Sequence, residues 1–257
     1  SMKIVVCMKQ TFDTEAKIAI DANGKINKSG VSLIMNPYDE FAVEEALRIK
    51  EKSGGDVTVV SVGGPEVQDA LRQALAMGAD KAVMVDPGME EVDEFTTASI
   101  LAKAISGMEY DIILGGMRAI DDGSTQVSGR VAEILSVPVV NAVIKLEIAD
   151  GKAVATNEIE GGSQIVEVAL PAVFTAQKGL NEPRYPSMKG IMQAKKKPMD
   201  KKVLGDLGLD AGQVAAKVKA ISYFLPSARA AGKIVPGEPA DAARDLVKAL
   251  REEAKVI

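Results

Sequence analysis

Short Val-, Ile- and Leu-rich runs alternate with helix-patterned stretches through the first half of the chain, and this alternation constrains the fold more than any other feature. Lys3–Met8, Val57–Val62, Lys81–Val85 and Asp111–Leu114 are nearly continuous apolar segments, the pattern of strands buried on both faces. Helices are expected between them. Asn36 is placed to cap the first, Pro37 to take its first turn, and Asp39 and Glu40 to complement its dipole. Ala42, Val43, Ala46 and Leu47 mark its buried face, and Glu44 is one turn before Arg48. Asp39, Glu40, Glu44 and Glu45 read as a solvated face and not as a metal site. Further helices are expected over Glu66–Met77, ending at Gly78, around Phe95–Ile105 and over Thr125–Leu135. This is the signature of a doubly wound, Rossmann-like α/β domain with a parallel sheet.

The rhythm changes after Pro138. Val139–Ile148, Ala153–Ile159, Gln164–Ala169 and Ala172–Ala176 read as strands, with Asp150-Gly151 and Gly161-Gly162 as turns, and are expected to extend the sheet in antiparallel fashion. From Lys178 to about Pro236 the chain reads as mostly loop, and a last helix is expected over roughly Pro239–Lys255, with Ala242, Leu246, Val247 and Leu250 on one face. The expected organisation is a nucleotide-binding α/β domain over 1–200 and a C-terminal helical arm over 201–257.

Composition narrows the chemistry. The chain has no histidine, which excludes Ser-His-Asp and Cys-His nucleophile systems and His-ligated metal sites. No catalytic residue and no metal site is expected. Such a chain is more naturally a binder of a group that carries its own chemistry. A net charge of −5 argues against general nucleic-acid binding. No stretch approaches the roughly 18 apolar residues of a membrane span. The single cysteine, Cys7, fits a reducing cytoplasm, and no signal peptide is expected.

Ligands of open parallel sheets bind beyond the carboxyl ends of the strands, which directs attention to Lys9–Ala16, Ser61–Glu66 and Gly115–Ser128. The third is glycine-rich, and Ser124 and Thr125 stand where a helix is expected to begin with outward N–H groups, an anion site. Asp121 and Asp122 weigh against phosphate there unless they turn away or bind a ribose hydroxyl. Neither Gly-x-Gly-x-x-Gly after a strand nor a P-loop is present. Ser53-Gly54-Gly55-Asp56 precedes a strand and reads as an ordinary turn.

The segment Asn181–Lys197 combines Pro183 and Pro186 with Met188, Ile191 and Met192 and the run Lys195-Lys196-Lys197. It reads either as a loop folded back on the core or as a contact surface, methionine being an adaptable anchor. In the second reading Arg184, Lys189 and Lys195–Lys197 ring the surface and steer acidic partners.

Taken in order, these segments resemble the beta subunit of electron transfer flavoproteins. The matching stretches are Met35–Tyr38 with Ala42–Ala46; Ala74–Asp80; Ala119–Asp122 through Gln126; and Glu158–Gly162 leading to Leu170–Val173 and Leu180–Lys197. The resemblance implies a heterodimer whose alpha subunit holds most of the FAD, with AMP, or a second FAD, in the beta chain. The implied nucleotide contacts are Met8, Lys9, Asn36, Tyr38, Asp39, Val62, Gly63, Asp122, Gly123, Ser124, Thr125, Gln126 and Val127. A loop recognising partner dehydrogenases falls on Tyr185–Gln193, with Met188 as its apolar anchor beside Tyr185, Ile191 and Met192. Glu158 matches a glutamate that positions the flavin domain. The implied role is to shuttle electrons from flavin-dependent dehydrogenases of the acyl-CoA type to a quinone-linked or other oxidoreductase. The alternatives are an electron-bifurcating subunit that oxidises NADH, and a stand-alone adenine-nucleotide sensor. Asp121-Asp122 leans toward AMP, and Thr125-Gln126-Val127 leans toward FAD.

Overall fold

The computed structural model describes residues Ser1–Ile257. Eleven strands and six α-helices follow the chain as β1 (Met2–Cys7), β2 (Gln10–Phe12), β3 (Leu33–Met35), α1 (Pro37–Ser53), β4 (Gly55–Val62), α2 (Gln68–Met77), β5 (Lys81–Asp86), α3 (Glu94–Ser106), β6 (Ile112–Gly116), α4 (Val127–Leu135), β7 (Val139–Ala149), β8 (Lys152–Ile159), β9 (Gly162–Ala169), β10 (Ala172–Ala176), α5 (Met188–Ala194), β11 (Met199–Val203) and α6 (Pro239–Lys248). Nine strands form one sheet in the order β11-β5-β4-β1-β6-β10-β7-β8-β9, and β2 pairs with β3. The doubly wound α/β expectation holds.

Both faces of the parallel part are covered. Ile4, Val6, Val57, Val59, Ile112, Leu114 and Phe174 pack on one side against Ala42, Val43, Ala46 and Leu47 of α1 and Leu71, Ala74 and Leu75 of α2. Val5, Val60, Val83, Val85, Ile113 and Val173 point to the other side, against Ala98, Ile100, Leu101 and Ile105 of α3 and Val131 and Ala132 of α4. Successive residues of one strand thus feed two cores, which is why these runs carry no polar alternation. The turn Ser53–Asp56 is as expected: α1 ends at Ser53, and Gly55 starts β4 where a side chain would run into the backbone of Met2.

Three regions depart from expectation. β7, β8 and β9 form the antiparallel extension, but β10 turns back and inserts parallel between β6 and β7. All five of its residues are buried, so its apolar content places it in the sheet's interior and not on its edge. Residues 178–236 are not all loop. They hold α5 and the edge strand β11, which pairs parallel to β5 with Lys201 and Lys202 on it, as suits an edge. The last α-helix ends at Lys248 and continues for five residues as a π-turn.

The chain divides into two compact units. One comprises Ser1–Ile18 and Asn27–Ile221 and holds the whole sheet. The other comprises Ala19–Ile26 and Ser222–Ile257 and holds α6, none of whose residues is buried. No helix is long and apolar enough to cross a membrane.

Phe174 is fully buried in β10, among the residues that α1 covers. Phe174→Ala should cost about 3–5 kcal/mol in denaturant unfolding, the range for truncating a core aromatic.

Candidate functional site

The strand order reverses between β1 and β6. β4 and β5 lie to one side of β1, while β6, β10 and β7 lie to the other, so the crevice between the β1 and β6 ends is the topological switch point. The loops that border it are joined by the first turn of α1. The Asp39 carboxylate accepts the backbone N–H of Lys9, which follows β1, at 2.7 Å, and that of Gly116, which ends β6, also at 2.7 Å. Gly116 has to be glycine, because a β-carbon there would press on Asp39 and lie 2.6 Å from the Tyr38 β-carbon.

Asn36 completes the junction. Its Nδ2 donates to the Arg118 carbonyl at 2.8 Å, and its Oδ1 accepts the Ile120 N–H at 3.2 Å. Its own N–H donates to the Lys9 carbonyl. The side chain does not cap α1, contrary to the sequence expectation. The loop after β6 takes both ends of the amide instead.

Asp121 and Asp122 are both held by Lys9. Lys9 Nζ donates to Asp121 Oδ1 at 2.8 Å and to Asp122 Oδ2 at 3.1 Å, so one ammonium lies between two carboxylates. Burial opposes the Lys9 charge, but the two aspartates outweigh it and raise its pKa. The other Asp122 oxygen accepts the Ser124 N–H at 2.8 Å. Burial works against the Asp122 charge as well; the Ser124 N–H and Lys9 nevertheless hold its carboxyl below the usual range. Ser124 Oγ is buried with no hydrogen-bond partner, an unused polar group in the same loop.

The α4 helix begins at Val127, two residues later than predicted, with Gln126 preceding it in a helical conformation. Its first-turn N–H groups have no partner within the helix. Arg130 Nε and Nη2 bond Gln126 Oε1 at 3.0 and 2.9 Å, which brings a guanidinium back to the start of the helix. Arg130 is a candidate that the sequence reading did not single out, although its i+4 spacing from Gln126 was readable. Thr125 and Gln126 are exposed and Val127 is half-buried. Met8 is buried and tied to the end of β4 through the Val60 carbonyl. Val62, Gly63 and Tyr38 are half-buried. Gly63 donates to the Val85 carbonyl, and no hydrogen bond joins it or Val62 to the loop of Asp122–Val127. The donor set suits an anion such as a phosphate: helix-start amides, an arginine beside them and an unused serine hydroxyl, with Lys9 offsetting part of the charge of Asp121 and Asp122.

The acids of α1 are not a solvated face. Asp39, Glu44 and Glu45 are buried. Arg184 explains Glu44: its N–H and Nε donate to Glu44 Oε2 at 3.0 and 2.9 Å, and its Nη2 donates to Glu44 Oε1 at 3.0 Å. It also pairs with the exposed Glu51. Asn181 Nδ2 donates to Glu45 Oε2 at 2.9 Å and to the Phe41 carbonyl at 3.0 Å. Burial raises the Glu45 pKa, with the Asn181 bond opposing it. Arg184 and Lys197 therefore do not ring a surface. Lys197 Nζ donates to the Leu75 and Ala79 carbonyls at the end of α2, leaving Lys189, Lys195 and Lys196 exposed.

Between these anchors stands α5, capped by Ser187 Oγ, which accepts the Gly190 N–H at 3.0 Å. Tyr185 is 95% exposed, Met188 77%, Met192 69% and Ile191 44%. Met188, Ile191 and Met192 stand at i, i+3 and i+4 and so share one face of α5, and Tyr185 precedes the helix. Glu158 is elsewhere, at the end of β8, where its Oε2 accepts from Gln177 Nε2 at 3.0 Å.

The family model for the electron transfer flavoprotein domain matches residues 23–207. Electron transfer flavoprotein subunit beta of Bacillus subtilis is 49% identical over 258 residues, covering all of both chains. The subunit of the same name from Syntrophomonas wolfei is 49% identical over all of this chain and 98% of its own length. The caffeyl-CoA reductase-Etf complex subunit CarD of Acetobacterium woodii is 36% identical over 98% of this chain and 99% of its own.

Burial pushes the Asp39 carboxyl up to about 7, against the pull of the Lys9 and Gly116 N–H groups, of Asn36 and of the Lys9 charge. A native pKa above the unfolded one means that the folded chain holds a proton the unfolded chain has released. Stability should therefore fall as pH rises from about 4 to 7, by at most about 1.4 kcal/mol per unit. Asp39→Asn should lack this slope while being less stable at low pH; denaturant unfolding at pH 5 and pH 8 checks both.

Proposed function

We propose a carrier role from one premise: the chain belongs to the electron transfer flavoprotein family, as a beta subunit. Membership implies an alpha subunit as its partner. The proposed function is to hold that flavin-bearing subunit and dock it on a flavin-dependent dehydrogenase of the acyl-CoA type. Electrons then pass to a quinone-linked or other oxidoreductase. The observation that carries this reading is the exposed apolar face of Met188, Ile191 and Met192 on a helix whose flanks are tied down, with the exposed Tyr185 just before it. Apolar side chains held in water this way suit a docking site.

FAD, held mainly by the alpha subunit, supplies the redox chemistry when bound; the residues of this chain bind, orient and dock. We assign AMP to the crevice between β1 and β6, with Met8, Lys9, Asn36, Tyr38, Asp39, Val62, Gly63 and Asp122–Val127 as its contacts. The ion pairs of Lys9 with Asp121 and Asp122 support the assignment, since they offset part of the repulsion that two free carboxylates would exert on a phosphate. Glu158 is assigned to positioning the flavin domain. Of residues 201–257, those from Ser222 on, which lie outside the sheet-bearing unit, are assigned to an arm on the alpha subunit, an assignment that the exposed Leu246 and Val247 of α6 support. The cytoplasm is the proposed compartment.

A second reading has its own support. Thr125-Gln126-Val127 and the similarity to a subunit of a caffeyl-CoA reductase-Etf complex favour a second FAD in place of AMP, with NADH as electron donor.

Purifying the heterodimer, denaturing it and separating the released nucleotides decides between them. One FAD and one AMP per heterodimer are expected; two FAD and no AMP would establish the second reading. Truncation after Pro236 should weaken heterodimer affinity by about tenfold or more in a titration of the subunits. Unchanged affinity would remove the arm from the interface.

A further inference from the structure

The helix α5 is pinned at three points, none of which lies on its exposed apolar surface. Upstream, Arg184 is bonded to Glu44 through three N–H groups and to Glu51 through its guanidinium. Downstream, Lys197 Nζ reaches the Leu75 and Ala79 carbonyls at 2.9 and 2.6 Å, tying the chain after α5 to the end of α2 and the turn that follows it. In the middle, Gly190 lies directly on the last turn of α2, where an added β-carbon would collide with the Ala76 carbonyl oxygen. That neighbour is helix backbone and cannot swing aside. Seven residues are too few to hold a helix without such support.

We propose that Arg184 and Gly190 are positioning residues for partner docking: they hold α5 in one fixed pose on α1 and α2, so that Met188 and Met192 meet the dehydrogenase already ordered. The inference rests on the docking role assigned to α5 above. It adds that the affinity of the surface is set by residues that never touch the partner. A pre-ordered anchor loses less conformational freedom on binding than a mobile one.

The test uses the heterodimer with its flavin loaded and an acyl-CoA dehydrogenase as electron donor, with KM and kcat measured for the carrier. Met188→Ala should raise KM by about tenfold, the scale of an apolar anchor. Gly190→Ala should raise KM by a similar factor although Gly190 is not on the docking surface. Flavin content, heterodimer assembly and reduction by dithionite should stay as in the wild type. Glu51→Gln, at an exposed position, should raise KM by a smaller factor, about two- to threefold, and keeps the test open if Gly190→Ala does not fold. The double variant Met188→Ala/Gly190→Ala should be little worse than either single one, because an anchor already displaced has little left to lose. Amide hydrogen exchange over 188–194 should be slow in the wild type and accelerated in Gly190→Ala. If Met188→Ala leaves KM unchanged, the docking role itself is wrong. If Met188→Ala raises KM while Gly190→Ala and Glu51→Gln do not, or if the two single effects multiply in the double variant, docking stands and the positioning role falls.

Discussion

The carboxylate of Asp39 joins the parts of this molecule that would otherwise be independent. It accepts the N–H groups that emerge from the ends of β1 and β6, the two strands between which the sheet changes direction. Neither group has a ladder partner at that point, and in a buried position each would cost about 1–3 kcal/mol if left unpaired. The carboxylate is itself buried, a state that a charge tolerates only with such donors around it. Three buried polar groups thus satisfy one another, and the consequence is geometric: α1 can start in only one place relative to the crevice. Gly116 follows from this, because the turn at Tyr38–Asp39 lies against its backbone.

The same helix performs a second task along its length. From Asp39 to Glu51 it advances about 18 Å at the usual rise, and over that distance it presents Glu44, Glu45 and Glu51 to Asn181 and Arg184. The Glu44 carboxylate, with four acceptor directions available, is used by three donors of a single arginine. A buried ion pair of this kind is poor evidence for stability, since desolvation offsets much of its attraction. Its strength is in specifying position. The planar fork of Arg184 fits one orientation of Glu44, and a lysine would not reproduce it.

Much of the architecture was legible in the sequence because it is written in local pattern. Continuous Val/Ile/Leu runs separated by helical periodicity dictate a parallel sheet buried on both faces. What was not legible depends on partners far along the chain. Glu44 and Glu45 follow Val43 on a helix and resemble a polar face until Arg184, 140 residues later, explains why one of them is buried. The role of Asn36 was misread for a related reason: its place before a proline signals a cap, yet both ends of its amide are taken by the loop at 118–120. β10 was readable as a strand, but its place between β6 and β7 is decided by which neighbours bury Val173 and Phe174. The short α5 and the lysine-bearing edge strand β11 lack the length or contrast to reveal a period. At the candidate site the loops singled out in the sequence do border the crevice at the β1 and β6 ends, while the ion pairs of Lys9 with Asp121 and Asp122 were not visible before Lys9 and the β6 loop were brought together.

Electrostatics and chemistry then point the same way. With no histidine, and with the one cysteine buried and its thiol pushed up to about 12 by desolvation and by the neighbouring Asp39, the chain has no exposed nucleophile poised near neutral pH. The group moved furthest toward neutrality, Asp39, is sealed behind two N–H groups and is positioned to hold backbone rather than to exchange protons with a substrate. A protein so constituted contributes to electron transfer through where it holds things. That gives the placement of α1 its consequence: one end fixes the crevice proposed for the nucleotide, and its flank holds Asn181 and Arg184, which precede the helix proposed to dock. The two sites share a frame instead of being joined by a loop, so any change that shifts α1 by part of a turn must disturb both at once.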